Sequence, residues 1–142
     1  MSDALENDAI RSSGWKPIPL PLKILSGVFV LWVVGAAMNL PNLMTNGLPL
    51  FGTFVFGAAA LPLVIYVDVL GPLIFLFALW TRKSWGVKWA VAYNALFILN
   101  NMIAFFVLRD VLGLPQILIP TLVSVLFLGV IFWQRGYFVK SV

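Results

Sequence analysis

The chain has 142 residues, of which 62% are hydrophobic and 10% charged, with a mean hydropathy of +1.04; a soluble domain carries about 25% charged residues. This excludes a soluble enzyme and leaves an integral membrane protein, and at roughly 20 apolar residues per crossing of a ~30 Å hydrocarbon core the length holds about four spans and no separate soluble domain. Cys and His are both absent and the net charge is +4, so thiol chemistry, disulfides, common zinc sites and the usual axial haem ligands are removed and no cofactor or metal is expected. The basic residues flank apolar segments, which orients a chain in a bilayer rather than forming a patch for nucleic acid.

Residues 1–14 carry Asp3, Glu6, Asp8 and Arg11 among small polar residues, with no basic stretch leading into a short apolar core. The composition predicts a solvated tail and no cleaved signal peptide. From Trp15 to Lys23 proline alternates with apolar residues, predicting an extended interfacial piece with Trp15 at headgroup level. Residues 1–22 thus read as a cytoplasmic tail plus interfacial segment.

A first span is predicted over residues 23–38, with Ser26, Gly27, Gly35, Ala36 and Ala37 allowing close helix approach. Residues 39–49 hold two prolines, three asparagines and the Asn46-Gly47 pair, the chemistry of a loop. Residues 50–60 are apolar but interrupted by Gly52 and Gly57, and Pro62 follows; an interfacial helix over 50–60 preceding a span over 62–80 is expected, the alternative being one long helix kinked at Pro62. The remaining spans are predicted at 86–108 and 116–133, closing a transmembrane domain over 23–134. Residues 135–142 mix aromatic and basic side chains, as a cytoplasmic anchor at the interface does.

Arg11, Lys16, Lys23, Arg82, Lys83, Lys88, Arg135 and Lys140 fall on one side of these spans and Arg109 alone on the other. The positive-inside rule then places both termini and the 81–88 turn in the cytoplasm. The expected fold is an all-α four-transmembrane-helix bundle.

The second and third spans form a hairpin with polar contents. Asp68 lies twelve residues before Trp80 and Asn100 twelve after Lys88, so both sit about 18 Å from the basic rim at 1.5 Å per residue. Pro72 lacks the N–H that an α-helix would direct to the Asp68 carbonyl. On the third span Gly86, Ala90, Asn94, Phe97, Asn101 and Ala104 recur at spacings of three and four, a small and polar face that should point inward. Asp68, Asn94, Asn100 and Asn101 are therefore the candidate intramembrane cluster, serving as interhelical hydrogen bonds, as a proton or cation site, or through pairing of Asp68 with a residue of another subunit. Trp80, Arg82, Lys83, Trp85, Lys88 and Trp89 are the candidate interface set, with aromatic rings and cations meeting anionic lipid headgroups.

This layout resembles that of small four-span bacterial membrane proteins with a basic, Trp-flanked inner turn, which implies a bacterial inner-membrane location. It lacks the first-span glutamate used by small multidrug transporters and the cysteine pair expected of four-span thiol oxidoreductases. With no catalytic constellation, the expectation is a non-enzymatic accessory or assembly subunit of a larger membrane complex, with lipids and other membrane subunits as partners. The alternative is a small oligomeric transporter or channel using Asp68.

Overall fold

In the computed structural model the described residues are Trp15 and 17–139; the expectations for residues 1–14, Lys16 and Lys140 lie outside them. Helix α1 runs over Leu20–Asn46, with proline in its first turn, where the missing N–H has no intrahelical role. Its 27 residues reach about 40 Å at 1.5 Å each. The predicted span 23–38 is thus too short, because the expected loop does not begin until Gly47. Pro41 is accommodated within the helix. Local side-chain bonds support this stretch, with Asn42 Nδ2 donating to Asn39 Oδ1 at 3.0 Å and the Thr45 hydroxyl to the Pro41 carbonyl at 3.0 Å. The helix stops at Gly47, whose φ of 89° is costly for other residues.

Strands β1 (Leu48–Leu50) and β2 (Thr53–Val55) pair antiparallel, Leu48 opposite Val55 and Leu50 opposite Thr53. This hairpin replaces the expected interfacial helix over 50–60. Phe51 and Gly52 at its tip have φ of 45° and 82°, both positive, the sign pattern of a type I′ turn. Between Gly47 and Gly57 a helix would contain poor formers, whereas the hairpin satisfies backbone groups by pairing its own strands.

Helix α2 (Gly57–Trp80) is composite. A 3₁₀ turn over Gly57–Ala59 and an α segment over Ala60–Val64 lead into a π turn over Ile65–Leu70, after which Gly71–Trp80 is α-helical. Helices α3 (Trp85–Val107) and α4 (Leu114–Trp133) follow, close to the predicted spans, and a short α5 covers Gly136–Val139. Four helices are long and apolar enough to cross a membrane, and the protein is an all-α integral membrane bundle.

The core gathers at one end. Ile18, Leu22, Phe29, Phe75, Leu79, Ile131 and Phe138 belong to one buried cluster, so the two ends of the described chain meet there, with Lys23, Arg82, Lys83, Lys88 and Arg135 nearby in sequence. This is the basic end; the hairpin lies at the other, against α3. Residues 136–139 correct the expected C-terminal surface anchor, because Phe138 is 0% and Tyr137 7% exposed. The Tyr137 hydroxyl donates to the Leu79 carbonyl at 3.1 Å, and the Arg82 guanidinium stacks 4.8 Å from its ring centroid. Burial pushes the Tyr137 phenol above its ordinary range, against the opposing charge of Arg82, which keeps the hydroxyl a donor.

Candidate functional site

The π turn of α2 ends where the Gly71 N–H reaches the Tyr66 carbonyl. Pro72 follows with no N–H to give. In an i→i+5 ladder the absent donor is the one Val67 would have received, so the freed carbonyl is displaced one residue from its expected place at Asp68. Helix α3 supplies the replacement: the Tyr93 hydroxyl donates to the Val67 carbonyl at 2.8 Å, and one turn away the Trp89 indole donates to the Gly71 carbonyl at 3.0 Å. Glycine at 71 makes room for this, since a methyl there would overlap the Tyr93 ring.

Asp68 lies within the π turn, half-buried, with the Trp32 side chain of α1 beside it. Trp32 stands edge-on to Phe97 with ring centroids 6.0 Å apart, and Phe97 packs on Tyr93 at 5.1 Å. Two cavities meet at the carboxyl and share Leu48, Pro49 and Asp68 as walls. One, of about 190 Å³, lies beneath the hairpin and is otherwise bounded by residues such as Leu63, Leu96, Phe97 and Asn100. The other is a vestibule of about 680 Å³ towards the hairpin end, where Trp32, Asn39, Asn46 and Gln116 take part in the lining.

The expected cluster is only partly assembled. Asn100 shares a cavity with Asp68, but its Oδ1 accepts the Phe51 N–H at 2.7 Å and so holds the hairpin tip. Asn94 is buried and turns back on its own helix, donating to the Ala90 carbonyl at 2.8 Å. The buried Nδ2 of Asn101 has no hydrogen-bond partner. None of the three carboxamides bonds to Asp68, and the backbone acceptors of α2 are taken by the longer side chains Tyr93 and Trp89.

Of the interface set, Trp80, Trp85, Lys83 and Lys88 are exposed. Arg82 is half-buried over Tyr137, in a left-handed backbone conformation with φ 52°. Trp89 departs from the expectation, since its indole is directed into the bundle at Gly71 rather than towards headgroups. Trp32 is the site residue that sequence reasoning missed, while Phe97 was expected on the inward face of α3 without a role of its own. A signal existed for Tyr93 and Trp89: they lie four apart on α3, the spacing of one helix face, opposite a span whose proline leaves a carbonyl needing a donor. Comparison with protein-family models, with curated proteins and with solved structures finds no match.

Proposed function

We propose that this protein is a non-enzymatic membrane protein of the transport class, which receives a cation at Asp68 through the vestibule at its hairpin end. The observation that carries this reading is the position of one acidic residue, Asp68, where two partly open cavities of the apolar bundle adjoin. An ionisable group at membrane depth costs at least about 2.5 kcal/mol and persists where it faces a cavity or partner. Its location in a π turn agrees, since such turns frequently occur at functional sites. With the basic end in the cytoplasm of a bacterial inner membrane, by the positive-inside rule, the vestibule opens to the outside and the close-packed core seals the inner half.

The test uses dicyclohexylcarbodiimide, an apolar reagent that modifies membrane carboxyls, with the modified residue located by mass spectrometry. Labelling at Asp68 should slow severalfold when K⁺ or an ammonium salt is added, and Asp68→Asn should abolish it while leaving the protein folded. A labelling rate at Asp68 indifferent to every cation would sink the reading.

An accessory role in a larger complex has one observation of its own. Gly27 and Gly35 of α1 have open space where a Cβ would lie, and Leu31 and Met38, which share their face, are 72% and 78% exposed. Such small-residue faces suit close packing by another helix. Native mass in mild detergent separates the two readings: a heteromeric complex favours the accessory role, and a monomer or homo-oligomer the transport role.

A further inference from the structure

Resting on the reading of Asp68 as a cation site, the chemistry of its surroundings narrows the cation. We propose that the ligand is an organic ammonium ion bearing a phenyl-sized apolar group, its charged head against Asp68 and its apolar group in the 190 Å³ cavity beneath the hairpin.

The oxygen inventory is the first ground. A hard divalent ion such as calcium takes about six to eight oxygen ligands, whereas Asp68 is the one carboxylate lining the two cavities and two of the oxygens near it already accept a hydrogen bond. Asn100 Oδ1 accepts the Phe51 N–H and the Val67 carbonyl accepts the Tyr93 hydroxyl. Among the described residues no three Asp, Glu, His or Cys side chains gather to hold a metal ion. An ammonium ion needs less, namely one carboxylate and aromatic faces, over which alkylated cations are held by the ring quadrupole. Trp32 lines the vestibule and Phe97 the smaller cavity, each beside Asp68.

Size is the second ground. A dry, apolar cavity of about 150 Å³ is known to hold benzene, so about 190 Å³ bounded by Leu63, Leu96 and Phe97 accommodates a single ring. The apolar group gains from burial there, while the vestibule gives the head access to water. Two adjoining spaces of unlike character, with a carboxyl between them, match a ligand of two unlike parts.

The experiment takes the full-length protein in mild detergent and compares three probes: benzyltrimethylammonium, tetramethylammonium and benzyl alcohol. Protection of Asp68 from carbodiimide is read alongside titration calorimetry, which does not depend on labelling. Benzyltrimethylammonium should bind at least about tenfold more tightly than tetramethylammonium, benzyl alcohol should give no protection, and Asp68→Asn should lose the binding of both cations. Leu63→Trp, which fills the small cavity, should erase the tenfold difference and keep the tetramethylammonium binding. If the two cations bind equally to the parent protein, or if only K⁺ protects, the ammonium-with-ring assignment is wrong while the cation site stands. Protection by benzyl alcohol equal to that by the cations overturns the assignment as well. Should no cation bind, K⁺ included, the cation site and this inference fall together.

Discussion

At the scale of single residues, Gly71 and Tyr93 depend on each other. The ring lies where any side chain at 71 would be, and its hydroxyl reaches the Val67 carbonyl past that gap. Tyr93→Phe keeps the ring and removes only the donor. In a membrane bundle such a bond contributes about 0.6 kcal/mol and at most about 1.7, so a small loss of thermal stability in detergent is expected. Gly71→Ala forces the ring aside and should cost more, about 1–3 kcal/mol, as overpacking does. A Gly71→Ala protein melting with or above Tyr93→Phe would show that the helices are not this close. Sequence reasoning placed Asp68 in the site but assigned its partners to asparagine, the shorter side chain. The deciding fact, which carbonyl loses its donor, depends on the π turn, and the apolar run Ile65–Leu70 carries no mark of it apart from Asp68 and the proline that follows.

At the scale of elements, the tip of the β-hairpin should respond in opposite directions to two changes. Asn100→Ala removes the acceptor of the Phe51 N–H, which is worth about 0.5–1.5 kcal/mol, and should speed hydrogen exchange at that amide by about two- to tenfold. Phe51→Asn places at φ 45° a residue that tolerates the left-handed region and should slow exchange across residues 48–55. Unchanged exchange in Asn100→Ala would mean that the tip is held by packing against α3 alone, where Gly52 approaches Ile103 and Val107. The four spans were legible because hydropathy and length report burial in lipid directly. Gly86, Ala90, Asn94 and Ala104 form the buried side of α3, as their spacing indicated. The hairpin was not legible, since alternation of apolar and polar residues marks a strand only where one face meets water, and Leu48–Phe56 is apolar on both faces apart from Thr53. Its turn was concealed too, with Phe51 at a position where Asn or Gly would have signalled it. The length of α1 was misjudged because Pro41 and three asparagines are loop chemistry by composition, yet here the asparagine and threonine side chains bond locally and the helix continues through them.

At the scale of the whole molecule, charge and packing are both polarised along the membrane normal. The charge predicts orientation: Ser84→Cys, in the basic turn, should react with an impermeant thiol reagent only after the membrane is opened, and Thr53→Cys, on the hairpin, without opening it. The chain has no native Cys to confuse the result, and labelling of position 84 in sealed cells would invert the assignment. The packing has a different consequence. The large buried side chains Phe75, Phe138, Leu22, Leu76, Leu79 and Ile131 all belong to the basic-end cluster, while the hairpin end buries chiefly smaller or fewer groups such as Ala60, Val64 and Ala104. Cooperative units of a protein open in order of their local stability, and regions with little buried apolar contact open first. The hairpin half is therefore expected to open and close as a separate unit while the basic half stays assembled, so that its amides exchange for the free energy of a local opening rather than that of unfolding the bundle.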